Sequence, residues 1–297
     1  MKLKKFIYIL IIYFLAIGQS FATQLTITPI GTPTGFSNKI SQSINLAIDA
    51  DSNWRMEVYI LSPEIINQNN FAYSLPINRL EITKANGTPI ILFNSGIKVA
   101  KINSNDIGGV NNFNLSLNTT TFENDRPGYY STEICFVLID KGHKMDLEVY
   151  NLRFQKEEIS SIEFSENPTR LELDKEKILK KGVTQNISTP LTVSIKSNKN
   201  WKLYLQKTNI NPASKVTYYI KPLYADASIT LNNSSSYTKM DNNTYLIASG
   251  KATFNDNSNT LDKKFLTMSY MIKGPENELL PVGSESNLFQ YSLKTED

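Results

Sequence analysis

The hydrophobic residues of this chain alternate with polar ones, and the period is two residues rather than that of a helix. The alternating segments are Leu25-Ile27, Ile44-Leu46-Ile48, Met56-Val58-Ile60, Leu115-Leu117, Leu147-Val149, Leu171-Leu173, Leu191-Val193-Ile195, Leu203-Leu205 and Phe265-Thr267-Ser269. Clusters of Asn, Asp and Ser separate them, and these side chains favour turns because they mimic backbone acceptors. The pattern therefore predicts an all-β fold of antiparallel β-sandwiches.

One short pattern occurs twice. An apolar strand, a polar turn, the pair Asn-Trp and a basic residue follow one another in Ile48–Val58 and again in Ile195–Leu205. The two copies lie about half the chain apart, and a repeat on this scale predicts two copies of one domain. We expect a signal peptide over residues 1–22, one sandwich over 23–155 and a second, diverged sandwich over 156–297.

The later parts of the two copies also align. Ile134–Ile139 and Met268–Ile272 are apolar segments, and each is followed by Lys-Gly. A further strand then follows near Leu147–Phe154 in the first copy and near Leu288–Leu293 in the second. This alignment predicts that the last two strands of each copy are equivalent.

A segment of six residues, Asp125-Arg126-Pro127-Gly128-Tyr129-Tyr130, precedes the last long strand pair of the first copy. It resembles the Gly-x-Tyr corner of immunoglobulin-like sandwiches, in which a tyrosine hydroxyl ties the turn to its own strand. The resemblance implies an immunoglobulin-like fold in which Tyr130 is the corner residue. The second copy has Thr260–Phe265 at this place, without the motif. A resemblance of this kind implies a fold class and no function.

The beginning of the chain has the order of a secretory signal. Lys2, Lys4 and Lys5 precede an apolar run over Phe6–Ile17, and the small-residue exit Ser20–Ala22 follows. The apolar run is too short for a stable membrane-spanning helix, so we expect cleavage after this exit. An uncleaved membrane anchor is the alternative. Export would place the protein in the periplasm, at the cell surface or outside the cell.

The charge of the chain limits its partners. The whole sequence has 31 basic and 28 acidic residues, and removal of the signal peptide takes away three lysines and no acid. The mature chain is then close to neutral, without the basic stripe that nucleic acid or anionic lipid requires. We therefore expect no nucleic-acid partner and no stable insertion of the mature chain in a membrane.

Few residues are available for catalysis. The one histidine, His143, lies in a charged turn, and the one cysteine, Cys135, lies in an apolar strand where a buried side chain is expected. A carboxylate pair could still hydrolyse glycosides. Carboxylates at alternating positions should point outward from a sandwich, however, and the sequence alone cannot bring two of them together across a cleft. They are Glu57, Glu81, Glu133, Glu148, Glu163 and Glu172. We expect no enzyme, no catalytic residues and no cofactor.

Asp49–Asn53 has the D-x-D-x-N spacing of a calcium loop, in which alternate oxygens converge on one cation. However, Trp54 stands where the loop needs glycine, and Ile60 stands where it needs a bidentate glutamate. The second copy begins its equivalent segment with Lys196. The segment is therefore predicted to be a turn between strands, and we expect no metal site.

The aromatic residues have two interpretations. Trp54 and Trp201 occupy equivalent places at the start of two strands, so we expect both in the core, on one face with the residues two and four positions later. Carbohydrate stacking is the alternative for these rings. Tyr129-Tyr130 and Tyr218-Tyr219 should each place one ring on either side of a strand, and an outward ring could contact a neighbouring domain or a partner.

Thr23–Thr28 alternates as a short strand does, and Pro29 and Gly31 follow it. Leu25-Ile27 could pair within its own sheet or with the exposed edge of another molecule. The sequence leaves both possibilities open.

Together these features favour an exported, non-enzymatic surface or periplasmic protein with a structural, adhesive or assembly role, including that of a pilus-like subunit. One alternative is a carbohydrate- or glycan-binding module, which would need an outward cluster of aromatic and amide side chains. A second is a periplasmic assembly chaperone. A protein partner or self-assembly is expected in preference to a small molecule.

Overall fold

The computed structural model describes residues 24–34, 38–50, 53–84, 89–92, 100–107, 111–140, 143–165, 184–186, 190–208, 216–255, 257–275 and 289–296. The predicted signal peptide lies outside them, and so do Glu172 and the segment Leu171-Leu173. The described residues form antiparallel strands joined by turns, so the all-β prediction is confirmed. In this part of the chain no helix has the length and apolar character needed to cross a membrane.

The chain divides into two compact units. The first consists of Met1–Thr121 with Tyr129–Phe154, and the second of Phe122–Gly128 with Gln155–Asp297. The segment Phe122–Gly128 is thus assigned to the second unit although it comes from the first half of the sequence. Independent folding of residues 23–155 and 156–297 stays a prediction.

The described strands of the first unit are β1 (Gln24–Thr34), β2 (Lys39–Asp49), β3 (Arg55–Ile60), β4 (Glu64–Asn67), β5 (Leu75–Pro76), β6 (Leu80–Lys84), β7 (Pro89–Leu92), β8 (Ala100–Asn103), β9 (Asn112–Thr120), β10 (Gly128–Asp140) and β11 (His143–Lys156). Short 3₁₀ helices lie at Phe71–Tyr73, Ile77–Arg79 and Ser104–Ile107. One sheet has the order β1-β2-β9-β6-β7, and the other contains β8, β3, β10 and β11, with β4 on β10 and β5 on β4.

Both sheets of the first unit contribute to one hydrophobic core. Leu46 and Leu117 come from the first sheet, Val58 and Phe136 come from the second, and all four side chains are fully buried. The period-two pattern explains this arrangement, because alternate residues of each strand face the same side. The core therefore lies between the two sheets.

Strands β3 and β4 follow one another along a single edge of β10. The backbone N–H of Leu61 donates to the carbonyl of Glu133 at 3.1 Å, and that of Gln68 donates to the carbonyl of Tyr129 at 2.7 Å. Carbonyls an even number of residues apart point to the same edge of a strand. The other edge of β10 is therefore the one paired with β11.

The described strands of the second unit are β12 (Ser160–Phe164), β13 (Thr184–Asn186), β14 (Leu191–Ser197), β15 (Asn200–Lys207), β16 (Thr217–Ala225), β17 (Ile229–Leu231), β18 (Thr238–Met240), β19 (Thr244–Gly250), β20 (Lys264–Lys273) and β21 (Phe289–Glu296). One sheet has the order β12-β14-β20-β16-β18, with β13 also on β20, and the other has the order β17-β19-β15-β21. Buried residues of both sheets, among them Val193, Leu203 and Met268, form one core.

The two units repeat the same pairing scheme. The order β1-β2-β9-β6-β7 of the first unit corresponds to β12-β14-β20-β16-β18 of the second, and β8-β3-β10 corresponds to β19-β15-β21. Strand β9 is therefore equivalent to β20, and β10 to β21. The alignment of Ile134–Ile139 with Met268–Ile272 is wrong, because the first segment pairs with β3 and the second with β14 and β16.

The first strand pairs within its own sheet. Leu25 of β1 lies opposite Ile48 of β2 and is fully buried. The strand runs on to Thr34, so Pro29 and Gly31 lie inside it and not after it. Proline is tolerated because β1 is an edge strand whose outer donors need no ladder partner. Gly31 has φ of 70°, a conformation that suits glycine, next to a shift in the register with β2.

Deletion of residues 24–28 is expected to destabilise the first unit, because it removes the buried Leu25 side chain and opens the edge of β2. Loss of one large core side chain costs about 2–5 kcal/mol. Thermal melting would measure the loss, with Thr26→Ala as a control at an exposed position of the same strand. An unchanged melting temperature together with loss of an oligomer in sedimentation would instead show that this strand serves assembly.

Candidate functional site

Both tryptophans are core residues, as predicted. Trp54 and Trp201 are each 1% exposed, and the residues two and four positions later are fully buried on the same face. The indole Nε1 of Trp54 donates to Asn111 Oδ1 at 2.9 Å, and its ring stacks on Phe113 at 5.9 Å between centroids. Neither tryptophan is accessible to a sugar, so the stacking alternative is wrong for these two rings.

The cysteine and the histidine considered for catalysis lie on β10 and β11, two strands that pair with each other. Cys135 is buried, as predicted, and burial raises the pKa of its thiol, which stays protonated at neutral pH. His143 is exposed, but it is the first residue of β11 and not part of the preceding turn as the sequence predicts. These positions assign no chemical role to either side chain.

Among the predicted carboxylates, Glu57 contacts two neighbouring side chains of its own strand. It accepts a hydrogen bond from the Tyr59 hydroxyl at 2.6 Å and forms an ion pair with Arg55 at 3.3 Å. Burial and this hydrogen bond raise the pKa of Tyr59 to about 12. The other described carboxylates, Glu81, Glu133, Glu148 and Glu163, lie on four further strands.

The segment considered as a calcium loop lies partly outside the described residues, because Asp51 and Ser52 are not among them. In the equivalent turn of the second unit, the side chain of Asn198 is buried and binds backbone groups. Its Nδ2 donates to the carbonyl of Asp125 at 3.2 Å, and its Oδ1 accepts from the N–H of Ile159 at 2.9 Å. Among the described residues, no three His, Cys, Asp or Glu side chains converge as a metal site requires.

The predicted corner tyrosine makes a different contact. Tyr130 is buried, and its hydroxyl donates to the carbonyl of Tyr73 at 3.4 Å. This bond ties β10 to the segment after β4, whereas a tyrosine corner binds its own turn. The expected orientation of the pair is confirmed, since Tyr129 is exposed on the other side of the strand.

One sheet edge of the second unit differs from its counterpart in the first. Strand β21 pairs with β15 over its whole length, from Asn200 opposite Glu296 to Lys207 opposite Phe289. No described strand pairs with the other edge of β21. The equivalent edge of β10 is paired with β11. The first unit therefore has a strand at a position where the described part of the second unit has none.

The inward side chains of β21 show the effect of this difference. Ile134, Phe136 and Leu138 of β10 are fully buried in the core of the first unit. Their equivalents in β21 lie opposite the buried residues of β15, on the same side of the sheet. These equivalents are Phe289, Tyr291 and Leu293, and each of them is only partly buried. An apolar row is thus left partly open to solvent along β21.

Strand β12, at the edge of the other sheet of the second unit, also has apolar side chains that are partly accessible to solvent. Ile162 of β12 corresponds to the fully buried Leu25 of β1 but is only partly buried. Phe164 of the same strand is exposed, and its ring lies 5.0 Å from that of Tyr291. Ile162 and Phe164, together with Phe289, Tyr291 and Leu293, form what we call the β21 edge site.

The β21 edge site is electrically neutral along its apolar row. The hydroxyls of Tyr291 and Tyr270 are hydrogen-bonded to each other. Burial raises the pKa of Tyr270 to about 12 and that of Tyr291 well above its usual value, so both stay protonated at physiological pH. One charged group lies at the Phe289 end, where Lys207 pairs with Phe289 and its ammonium stands 4.9 Å from the ring centre of Tyr218. Beside Tyr291 and Leu293 the site can therefore accept apolar side chains without a charge to desolvate.

No protein-family model matches this sequence, and a search of the curated proteins gives no match. Among solved structures, one similar chain belongs to the CsuC-CsuE chaperone-tip adhesion subunit pre-assembly complex from archaic chaperone-usher Csu pili of Acinetobacter baumannii. Its TM-score is 0.41 at 11% identity, over 88% of this chain and 92% of that chain.

A second similar structure is the C-terminal domain of the Streptococcus pyogenes antigen I/II-family protein AspA, with TM-score 0.25 and 10% identity over 93% of this chain and 96% of that chain. A third is the secreted serine protease VesC from Vibrio cholerae, with TM-score 0.18 and 8% identity over 84% of this chain and 49% of that chain. Similarity at these levels does not establish a shared function.

Proposed function

We propose that this protein is an exported, non-catalytic protein of assembly or adhesion, built from two immunoglobulin-like β-sandwiches. Its second unit accepts an extended strand of another polypeptide at the β21 edge site. One observation carries the proposal: β11 pairs with β10 in the first unit, whereas the equivalent edge of β21 has no partner among the described strands. A strand edge with an open apolar row is a template for pairing with another chain.

Strand β11 shows what kind of strand fits this position. Leu152 and Phe154 are buried in the core of the first unit, and Tyr150 packs against it. The ring of Phe154 stacks on that of Tyr130 at 5.5 Å. The intervening residue Arg153 is exposed. The expected occupant of the β21 edge site is therefore a segment with large apolar side chains at alternate positions and polar ones between them.

The energetics favour such an addition. Backbone hydrogen bonds along β21 would give affinity, and the side chains in the apolar row would give register. Burial of each large apolar side chain contributes about 1.5–3 kcal/mol relative to full exposure. Together with the backbone hydrogen bonds, three such residues can offset the backbone cost of ordering a strand of about five residues, which is about 1–2 kcal/mol per residue.

In the first unit, a carboxylate occupies the outer edge of strand β1. Asp146 of β11 accepts a hydrogen bond from the backbone N–H of Leu25 at 2.7 Å, at the outer edge of β1. A carboxylate at such an edge discourages further pairing. The edge of β1 is therefore disfavoured as a further acceptor of a partner strand.

A peptide with the 14-residue sequence of β11, His143–Lys156, tests the proposal in trans on the full chain. We expect saturable binding, because this strand pairs with the equivalent edge of β10 in the first unit. At about 100 times its dissociation constant, such a ligand stabilises the folded state by about 2.7 kcal/mol. Amide hydrogen exchange should show new protection in β21 and none in β10.

The matched control is the same peptide with Leu152→Ser and Phe154→Ser, which keeps the length and charge but loses the apolar row. We expect it to bind far more weakly. Absence of protection in β21 at saturating concentrations of the unchanged peptide would refute the strand-acceptor proposal. Equal binding of both peptides would refute it as well, since pairing would then not depend on the apolar row.

A further inference from the structure

A second feature lies in the first unit, on the loop between β4 and β5. Phe71 is 71% exposed and Tyr73 is 41% exposed, and Tyr129 of the adjoining strand β10 is 58% exposed. Exposed apolar patches on soluble proteins mark interaction sites. We call Phe71, Tyr73 and Tyr129, together with Asn69 and Asn70, the aromatic loop.

Hydrogen bonds connect the two segments of the aromatic loop. The Asn69 side chain accepts from the backbone N–H of Tyr129 at 2.8 Å, and the carbonyl of Tyr129 accepts from the N–H of Gln68 at 2.7 Å. The amide of Gln68 also donates to the Ser131 hydroxyl at 2.7 Å. The loop is thereby attached to the beginning of β10, which brings residues far apart in sequence onto one small area.

A buried amide fixes the backbone of the loop. Asn67 is 1% exposed, and its Oδ1 accepts from the N–H groups of Asn69 at 2.9 Å and Asn70 at 3.1 Å. The side chain of Asn70 in turn caps the short helix by accepting from the N–H of Ala72 at 3.1 Å. The exposed rings therefore stand on a backbone that is already ordered, and such pre-organisation lowers the entropic cost of binding.

The composition of the aromatic loop limits its ligand. Residues 65–78 and 127–132, which contain the loop and the adjoining part of β10, include no Asp, Glu, Lys, Arg or His. An ionic ligand would find no partner charge within these segments. Amides and tyrosine hydroxyls, by contrast, donate and accept hydrogen bonds, and ring faces offer apolar contact area.

We infer that the aromatic loop binds a neutral carbohydrate. The C–H face of a pyranose ring would stack on an exposed aromatic ring, while its hydroxyls exchange hydrogen bonds with the neighbouring amides. The tryptophans of this chain are buried, so sugar recognition rests on Phe71 and Tyr129 instead. This inference is independent of the strand-acceptor proposal, because it concerns a different unit and different residues.

Binding of the full chain to an array of oligosaccharides tests the inference. The array carries neutral oligosaccharides, terminated by glucose, galactose, mannose and N-acetylhexosamines, together with sialylated and sulfated ones. We expect binding to at least one neutral class. Phe71→Ala and Tyr129→Ala should each weaken the affinity for that oligosaccharide at least about tenfold, as loss of a central aromatic contact does. Tyr129→Phe keeps the ring and should retain most of the affinity.

The matched control is Tyr224→Ala, which removes an equally large tyrosine that is 64% exposed in the second unit. All variants should keep the melting temperature of the parent, since the replaced rings lie outside the cores. Absence of binding to every neutral oligosaccharide would overturn the inference. Unchanged affinity in both alanine variants, or a preference for sialylated or sulfated oligosaccharides, would overturn it too.

Discussion

Replacement of Trp201 by alanine is expected to lower the free energy of unfolding of the second unit by about 3–5 kcal/mol, and Trp54→Ala should do the same to the first unit. Both side chains are 1% exposed and are the largest among the fully buried residues. Their removal forfeits the burial of a large ring and leaves a cavity that the sheets fill only in part. A loss of this size is a large share of the 5–15 kcal/mol that typically stabilises a domain.

Differential scanning calorimetry would measure the effect as a fall in melting temperature of roughly 10–20 °C. If the two units unfold separately, each substitution should shift one transition and leave the other in place. Such a result would also support independent folding of the units. A melting temperature equal to that of the parent in both variants would contradict the core assignment.

Substitution of each tryptophan by phenylalanine distinguishes the effect of packing from that of the indole hydrogen bond. Trp54→Phe removes the bond from the indole to Asn111, whereas the Nε1 of Trp201 is buried without a hydrogen-bond partner among the described residues. A buried donor without a partner carries a desolvation penalty of about 1–3 kcal/mol. We therefore expect Trp201→Phe to cost less stability than Trp54→Phe.

The period-two pattern was sufficient to predict the class of the fold and much of its core. Ile44-Leu46-Ile48 and Leu203-Leu205 are buried, and both tryptophans lie where their shared position in the repeat placed them. In strand β20 the pattern was ambiguous. Phe265-Thr267-Ser269 alternates, yet the buried row is the other one, Leu266, Met268 and Tyr270, because apolar residues occupy both phases.

The unpaired edge of β21 could not be predicted from the sequence, because the most evident match between the two copies aligns the wrong strands. Lys-Gly follows both Ile139 and Ile272 at a short distance, and this match placed β10 beside β20 and β11 beside β21. Only the strand pairing shows that β21 is the equivalent of β10, so that β11 has no equivalent among the described strands. Pairing partners depend on long-range register, which local sequence does not specify.

The aromatic loop could be predicted only in part. Exposure of one ring in Tyr129-Tyr130 follows from alternation, and Asn67–Asn70 indicates a turn. The approach of Tyr129 to Asn69 depends on how β4 pairs with β10. The sequence therefore indicated that some aromatic rings face outward, and the pairing of the strands determined which ones lie together.

The second large effect concerns the glycine opposite Trp201. Gly250 of β19 pairs directly with Trp201 of β15, and a Cβ atom at this position would lie 2.5 Å from Cζ2 of the indole and 2.7 Å from Cε2. The ring thus occupies the space that any other side chain would need. Because carbon atoms cannot approach so closely, Gly250→Ala must displace either the ring or the strand.

Gly250→Ala is expected to destabilise the second unit by about 1–3 kcal/mol, the usual cost of an overpacked core, and Gly250→Val should cost more. Urea denaturation of the full chain would measure both, with Ser249→Ala on the opposite face of β19 as the control. In the double variant with Trp201→Phe, the smaller ring leaves room for the new methyl group. The loss of stability in the double variant should then be smaller than the sum of the losses in the two single variants. Strictly additive losses would show that the indole does not restrict this position.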